Sequence, residues 1–121
     1  MIDLETYRPQ IEAALSYDGE GGSFEDVAAA IERGDLQVWP GANSVIITHI
    51  VREPWLTTLH FYIAGGVLEE LEQMTPNVLA WGKTQGCTRA SLYGRPGWER
   101  TFLARTGWNK SRLICMEKDL G

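Results

Sequence analysis

The chain has 121 residues, 44% of them hydrophobic and 22% charged, with a formal net charge of −5. A chain of this size buries roughly two-thirds of the surface its unfolded form exposes, so a core forms without staples, and the composition excludes a disordered protein. The apolar runs are strand-length, which argues against a membrane-spanning helix, and Asp3 and Glu5 stand where a secretory leader would carry bases. The expectation is one soluble α/β domain over residues 1–121, of cytoplasmic type.

The elements follow in chain order. Tyr7 to Leu15 reads as a short helix, with Pro9 in its first turn and Tyr7, Ile11, Ala14 and Leu15 on one face. A loop over residues 16–23 follows. Ser23 is then an N-cap with Asp26 three positions on, opening a helix from Phe24 to Arg33 that buries Phe24, Val27, Ala28 and Ile31 and ends at Gly34. Leu36 to Trp39 reads as a strand stopped by Pro40-Gly41. Ser44 to Val51 is β-branched and stops at Glu53-Pro54. Leu56 to Ile63 alternates, with Leu59, Phe61 and Ile63 on one face and Thr58, His60 and Tyr62 on the other. Three strands joined by short turns imply an antiparallel meander.

Beyond Ala64-Gly65-Gly66 the pattern becomes helical through Leu68, Leu71, Met74, Val78 and Leu79, closing at Gly86. Pro76 implies either a kink or a second segment capped by Thr75. Thr88 to Tyr93 is a strand, Trp98 to Thr106 a helix ended by Gly107, and Ser111 to Lys118 a last strand. Cys87 and Cys115 both fall in expected strands and read as buried, reduced thiols. Two cysteines without CxxC spacing make no metal signature.

Charge is unevenly spread. Residues 1–35 carry nine acids and two bases, whereas residues 87–112 carry six bases and one acid. Such ends either dock on opposite charge or pair across the domain. A pI near 5.0 argues against nucleic acid as a partner.

From Leu56 onward the order is strand, glycine turn, helix, strand, short helix, Gly-aromatic, strand. Together with Ala80…Gln85-Gly86-Cys87 and Phe102-Leu-Ala-Arg-Thr-Gly107-Trp108, this resembles the GNAT superfamily of N-acetyltransferases. The stretch Gly94-Arg-Pro-Gly-Trp-Glu-Arg100 and the later Met116-Glu-Lys-Asp-Leu120 resemble small phage-encoded GNAT-like proteins. The resemblance implies a mixed, mostly antiparallel sheet flanked by about four helices. It implies acetyl-CoA as the cofactor, with its pyrophosphate at a helix N-terminus where free N–H groups and the helix dipole favour an anion. The matching positions are Ile63, Ala64, Gly65, Gly66 and Val67.

The chain departs from that pattern. No basic or Gln residue opens the glycine turn, Glu69, Glu70 and Glu72 stand in the first turns of the helix, and Leu103 occupies the family's tyrosine position. Two adjacent glycines also suit a plain turn. His60, Glu53 and Tyr93 are the candidate proton-transfer groups, each with an alternative structural role. Arg95, Trp98 and Arg105 form a candidate patch, for a CoA phosphate or for a protein surface. Two functions follow: a non-catalytic assembly or interaction component, phage-encoded and virion-associated in its concrete form, or an acetyl-CoA-dependent N-acetyltransferase.

Overall fold

The structure is a computed structural model that describes residues 2–18 and 22–121. Residues 19–21, in the middle of the expected 16–23 loop, lie outside the described residues. Four strands, β1 (Gln37–Pro40), β2 (Val45–Glu53), β3 (Leu56–Gly65) and β4 (Arg89–Leu92), lie side by side in sequence order. The first three form the antiparallel meander, and β4 runs parallel to β3. Parallel neighbours need a crossover, which is α3 (Leu68–Thr84). Two further helices, α1 (Arg8–Asp18) and α2 (Phe24–Arg33), precede the sheet.

Each face of the sheet carries its own apolar cluster. On one face Ile11 of α1 and Phe24 and Val27 of α2 pack on Val45, Ile47 and Ile63. On the other, Leu71 and Val78 of α3 pack on Ile46, Leu59 and Phe61, together with Cys87, Phe102 and Leu103. Val45, Ile46 and Ile47 are all at most 1% exposed, because β2 is covered from both sides.

Local chemistry explains the helix ends. Ser23 accepts the Asp26 N–H while Asp26 accepts the Ser23 N–H, a complete capping box. α3 runs unbroken through Pro76, and the hydroxyl of buried Thr75 donates to the Leu71 carbonyl within that helix. Thr75 therefore caps no second segment.

Several expectations change. Ile47 pairs with Ile63 but Thr48 pairs with Phe61, so Tyr62 is the inserted residue of a β-bulge. The bulge breaks the alternation of Leu59, Phe61 and Ile63, sending Ile63 to the face opposite Phe61. The helix expected over Trp98–Thr106 is instead two 3₁₀ turns, Pro96–Arg100 and Phe102–Arg105, so among the described residues three α-helices flank the sheet where about four are expected. Thr101 interrupts the helix with an extended backbone, its hydroxyl accepting the Leu103 N–H. Ser111–Lys118 forms no strand, and Cys115 is exposed, while Cys87 is buried just ahead of β4. The propensity for a strand is present there, but no partner strand meets it.

Candidate functional site

β4 pairs with β3 only from Thr58 to Phe61, whereas β3 continues to Gly65. The two strands therefore part at the bulge; His60 and Tyr93 lie by that opening, and Ile63 to Val67 lead from it into α3.

His60 lies level with the opening, between His49 on β2 and Ser91 on β4. Its Nδ1 is 2.9 Å from the Ser91 hydroxyl, and its ring centroid is 4.7 Å from that of Tyr93. Burial lowers the His60 pKa from the ordinary value, and the charge of His49 lowers it further. The imidazole is thus neutral near pH 7. If Nδ1 carries the proton and donates to Ser91, Nε2 is left as a base; the other tautomer makes Nε2 a donor. Tyr93 is 88% exposed. Glu53 ends β2 and is exposed, so His60 and Tyr93 come together and Glu53 does not join them.

The start of α3 is closed by the chain itself. Gly66 has φ +128°, and a Cβ there would lie 2.5 Å from the Asn43 carbonyl and from Ser44. A Cβ on Gly65 would lie 3.1 Å from the Gln10 carbonyl. Gly66 is therefore required by its φ and its close packing on the β1–β2 turn, while Gly65 packs tightly against α1. Val67, the N-cap, has no hydroxyl to offer, and its own N–H donates to Ser44 Oγ at 2.8 Å. Glu70, at the third helical position, accepts the Ala42 and Asn43 N–H groups at 2.8 and 2.9 Å. The Ser44 hydroxyl and those two amides hold its carboxyl below the usual range. Ser44 and Glu70 thus tie the turn before β2 to the first turn of α3, without a side-chain cap on α3 itself.

At Val67 and Glu70 this arrangement disfavours a cofactor pyrophosphate. The Val67 N–H that an anion would take is engaged, and an ionised Glu70 stands beside it. The nearby Gln10 Oε1 is buried without a hydrogen-bond partner, but it is an acceptor and offers a phosphate nothing. Its orientation is fixed by Nε2 donating to the Asn43 carbonyl. Leu103, in the tyrosine position, is a buried core residue.

The three patch residues are engaged in different directions. Arg95 lies over the Tyr17 ring of α1 at 3.9 Å. Trp98 packs against the α3-side core, and Arg105 pairs with Glu72 of α3 at 2.9 Å. Of five tryptophans, Trp39, Trp81, Trp98 and Trp108 pack on that core, whereas Trp55, at the β2–β3 turn, is 79% exposed. Sequence reasoning missed Ser44 and Ser91 and the turn amides that Glu70 accepts, since each contact spans a chain separation that no local pattern encodes. A shallow hollow of about 400 Å³ lined by Asp35, Gln37, His49 and Arg52 lies away from the α3 start. Among the described residues, no cluster of His, Cys, Asp or Glu is arranged to hold a metal, and no helix is long and apolar enough to cross a membrane.

No protein-family model matches the chain, and no curated protein matches it. Solved structures do. A tetramutant of the BH1408 protein from Bacillus halodurans has a TM-score of 0.71 at 13% identity, over 98% of this chain and 94% of that one. The ribosomal-protein-alanine N-acetyltransferase of Brucella melitensis biovar Abortus 2308 has a TM-score of 0.70 at 7% identity, over 98% and 94%. The aminoglycoside N-acetyltransferase AAC(6′)-Iy, solved with CoA, has a TM-score of 0.66 at 10% identity, over 98% and 89%. At such identities the likeness carries the fold and not the chemistry: the chain has the GNAT fold.

Proposed function

We propose that the protein is a non-catalytic GNAT-fold component that works through protein contacts. The observation that carries this reading is the closure at the α3 start: Ser44 on the Val67 N–H, and Glu70 on the Ala42 and Asn43 amides. Of the amides that favour a phosphate at a helix N-terminus, the Val67 N–H is here spent on Ser44, and the Glu70 carboxylate sets negative charge beside that terminus. Leu103 in the core and the exposed Trp55 support it further, since Trp is enriched at the energetic centres of interfaces. The resemblance of the Gly94–Arg100 and Met116–Leu120 stretches to phage-encoded GNAT-like proteins supports a virion-associated version of the role. Isothermal titration with acetyl-CoA tests the reading. No heat at millimolar cofactor is expected, and micromolar binding overturns it.

A second reading, an acetyl-CoA-dependent N-acetyltransferase, is favoured by the neutral His60 held by Ser91 beside the strand opening. There His60 Nε2 would take a proton from an amine acceptor. The CoA bound by AAC(6′)-Iy, which shares the fold, supports the cofactor of this reading. It requires turnover that His60→Ala abolishes and Ser91→Ala weakens.

A further inference from the structure

We propose that the segment Ser111–Lys118 is exchanged between two copies of this chain, each segment adding a strand to the outer edge of the other copy's β4. Among the described residues β4 pairs only with β3, so its second edge presents free backbone donors and acceptors. Such an edge is a template for strand addition. The same chain carries a strand-forming segment with no partner. The side-chain hydrogen bonds within Asn109–Gly121 reach only two positions along the chain. Leu113, Ile114 and Met116 are 82%, 81% and 84% exposed.

The pattern of that segment points to a second copy. Leu113 and Cys115 would fall on one face of a strand, and Ile114 and Met116 on the other, so both faces are apolar. On β4 only one face is apolar: Ala90 and Leu92 touch the α3-side core, while Ser91 meets His60 on the other. A segment folded back on its own β4 would leave one apolar face in water. Exchange lets that face meet its symmetry mate, as a two-fold interface requires. The segment is also free to leave: Trp108 is the last packed side chain, edge-on to Phe61 at 5.5 Å, beyond it only the exposed Lys110–Glu99 pair at 3.5 Å reaches back, and Gly107 has φ +89° with open space around it. Charge assists, because Arg89, Arg100 and Arg112 form no ion pair among the described residues, while residues 1–35 hold an acidic surplus. The proposal stands whether or not the α3 start binds a cofactor.

Sedimentation velocity and hydrogen exchange on the full chain test it, alongside Ile114→Pro and Met116→Lys. Both substitutions fall on exposed side chains, so the fold is retained, which circular dichroism checks. The expected result is a species of twice the 13.5 kDa chain mass, with slowed exchange in residues 111–118 and along β4. Each variant should shift the species to the single-chain mass, or weaken association at least tenfold, and lose both protections. A monomeric wild-type chain overturns the proposal, whether the segment is unprotected or protected on its own edge. So does a dimer that both variants leave intact.

Discussion

Ser44 and Val67 meet at the base of α3, where the Ser44 hydroxyl, fully buried, accepts the Val67 N–H at 2.8 Å. A serine just ahead of β2 thus takes the N-cap residue's own N–H, the group that the N3 side chain of a capping box ordinarily accepts from within the helix. Replacing Ser44 by Ala leaves that N–H without a partner and removes a donor from Glu70. A buried polar group stripped of its partner costs about 1–3 kcal/mol. Urea unfolding of Ser44→Ala should show a loss of that size, and an unchanged midpoint would mean the contact contributes nothing.

Gly66 and Gly107 both have positive φ, but only Gly66 is crowded. At Gly107 an added methyl meets nothing within 4 Å, so Gly107→Ala should cost only the left-handed backbone penalty, about 1–2 kcal/mol. At Gly66 the methyl would press on the Asn43–Ser44 backbone as well, so Gly66→Ala should cost about 3 kcal/mol or more. Equal losses in the two variants would mean that the turn at Gly66 can relax, and that its packing is not what requires the glycine.

The Glu70 carboxyl is held below its ordinary value of 4.5 by the Ser44 hydroxyl first, then by the Asn43 and Ala42 amides. A carboxyl whose folded pKa is depressed contributes stability that is complete above the unfolded value and is lost as pH falls through the folded one. The stability gap between the wild-type chain and Glu70→Gln should therefore be constant from pH 7 to about 5. Below pH 4.5 it should narrow. Denaturant titrations of both proteins at each pH read the gap directly, and a gap independent of pH would show that the carboxylate charge is not what holds the turn.

What the sequence makes legible here is what lies within one element. Ser23 and Asp26 cap α2 because both partners sit three residues apart, and Val45 to Ile47 read as strand because β-branched runs suit a sheet covered on both faces. The bulge at Tyr62 escapes such a reading: alternation predicts a flat strand, and only the register against β2 shows the extra residue. Likewise Glu70 looks like a charge facing an anion site, because its Ala42 and Asn43 partners come from a turn 28 and 27 residues earlier. The resemblance directs attention to the α3 start, while the contacts that tie that start down are remote in the chain. Strand propensity over Ser111–Lys118 is equally genuine, yet a strand needs an edge to pair with, and edges belong to the assembled sheet.

His60 offers the remaining test, at the opening between β3 and β4. Burial lowers its pKa first and the neighbouring His49 charge lowers it further, so the folded value lies below the ordinary 6.5. A group with a depressed folded pKa favours the folded state above the unfolded value, and that contribution is lost as pH falls through the folded one. Titration of the imidazole proton shifts by NMR should therefore give a His60 midpoint below 6.5. In His49→Ala the midpoint should rise without reaching the ordinary value, because burial remains. Tyr93→Ala opens the ring to water and should raise it as well, since the Tyr93 ring stands 4.7 Å away. A midpoint at or above 6.5 in the wild-type chain would mean that water reaches the imidazole freely, and a neutral base held by Ser91 would then be the minor form at pH 6.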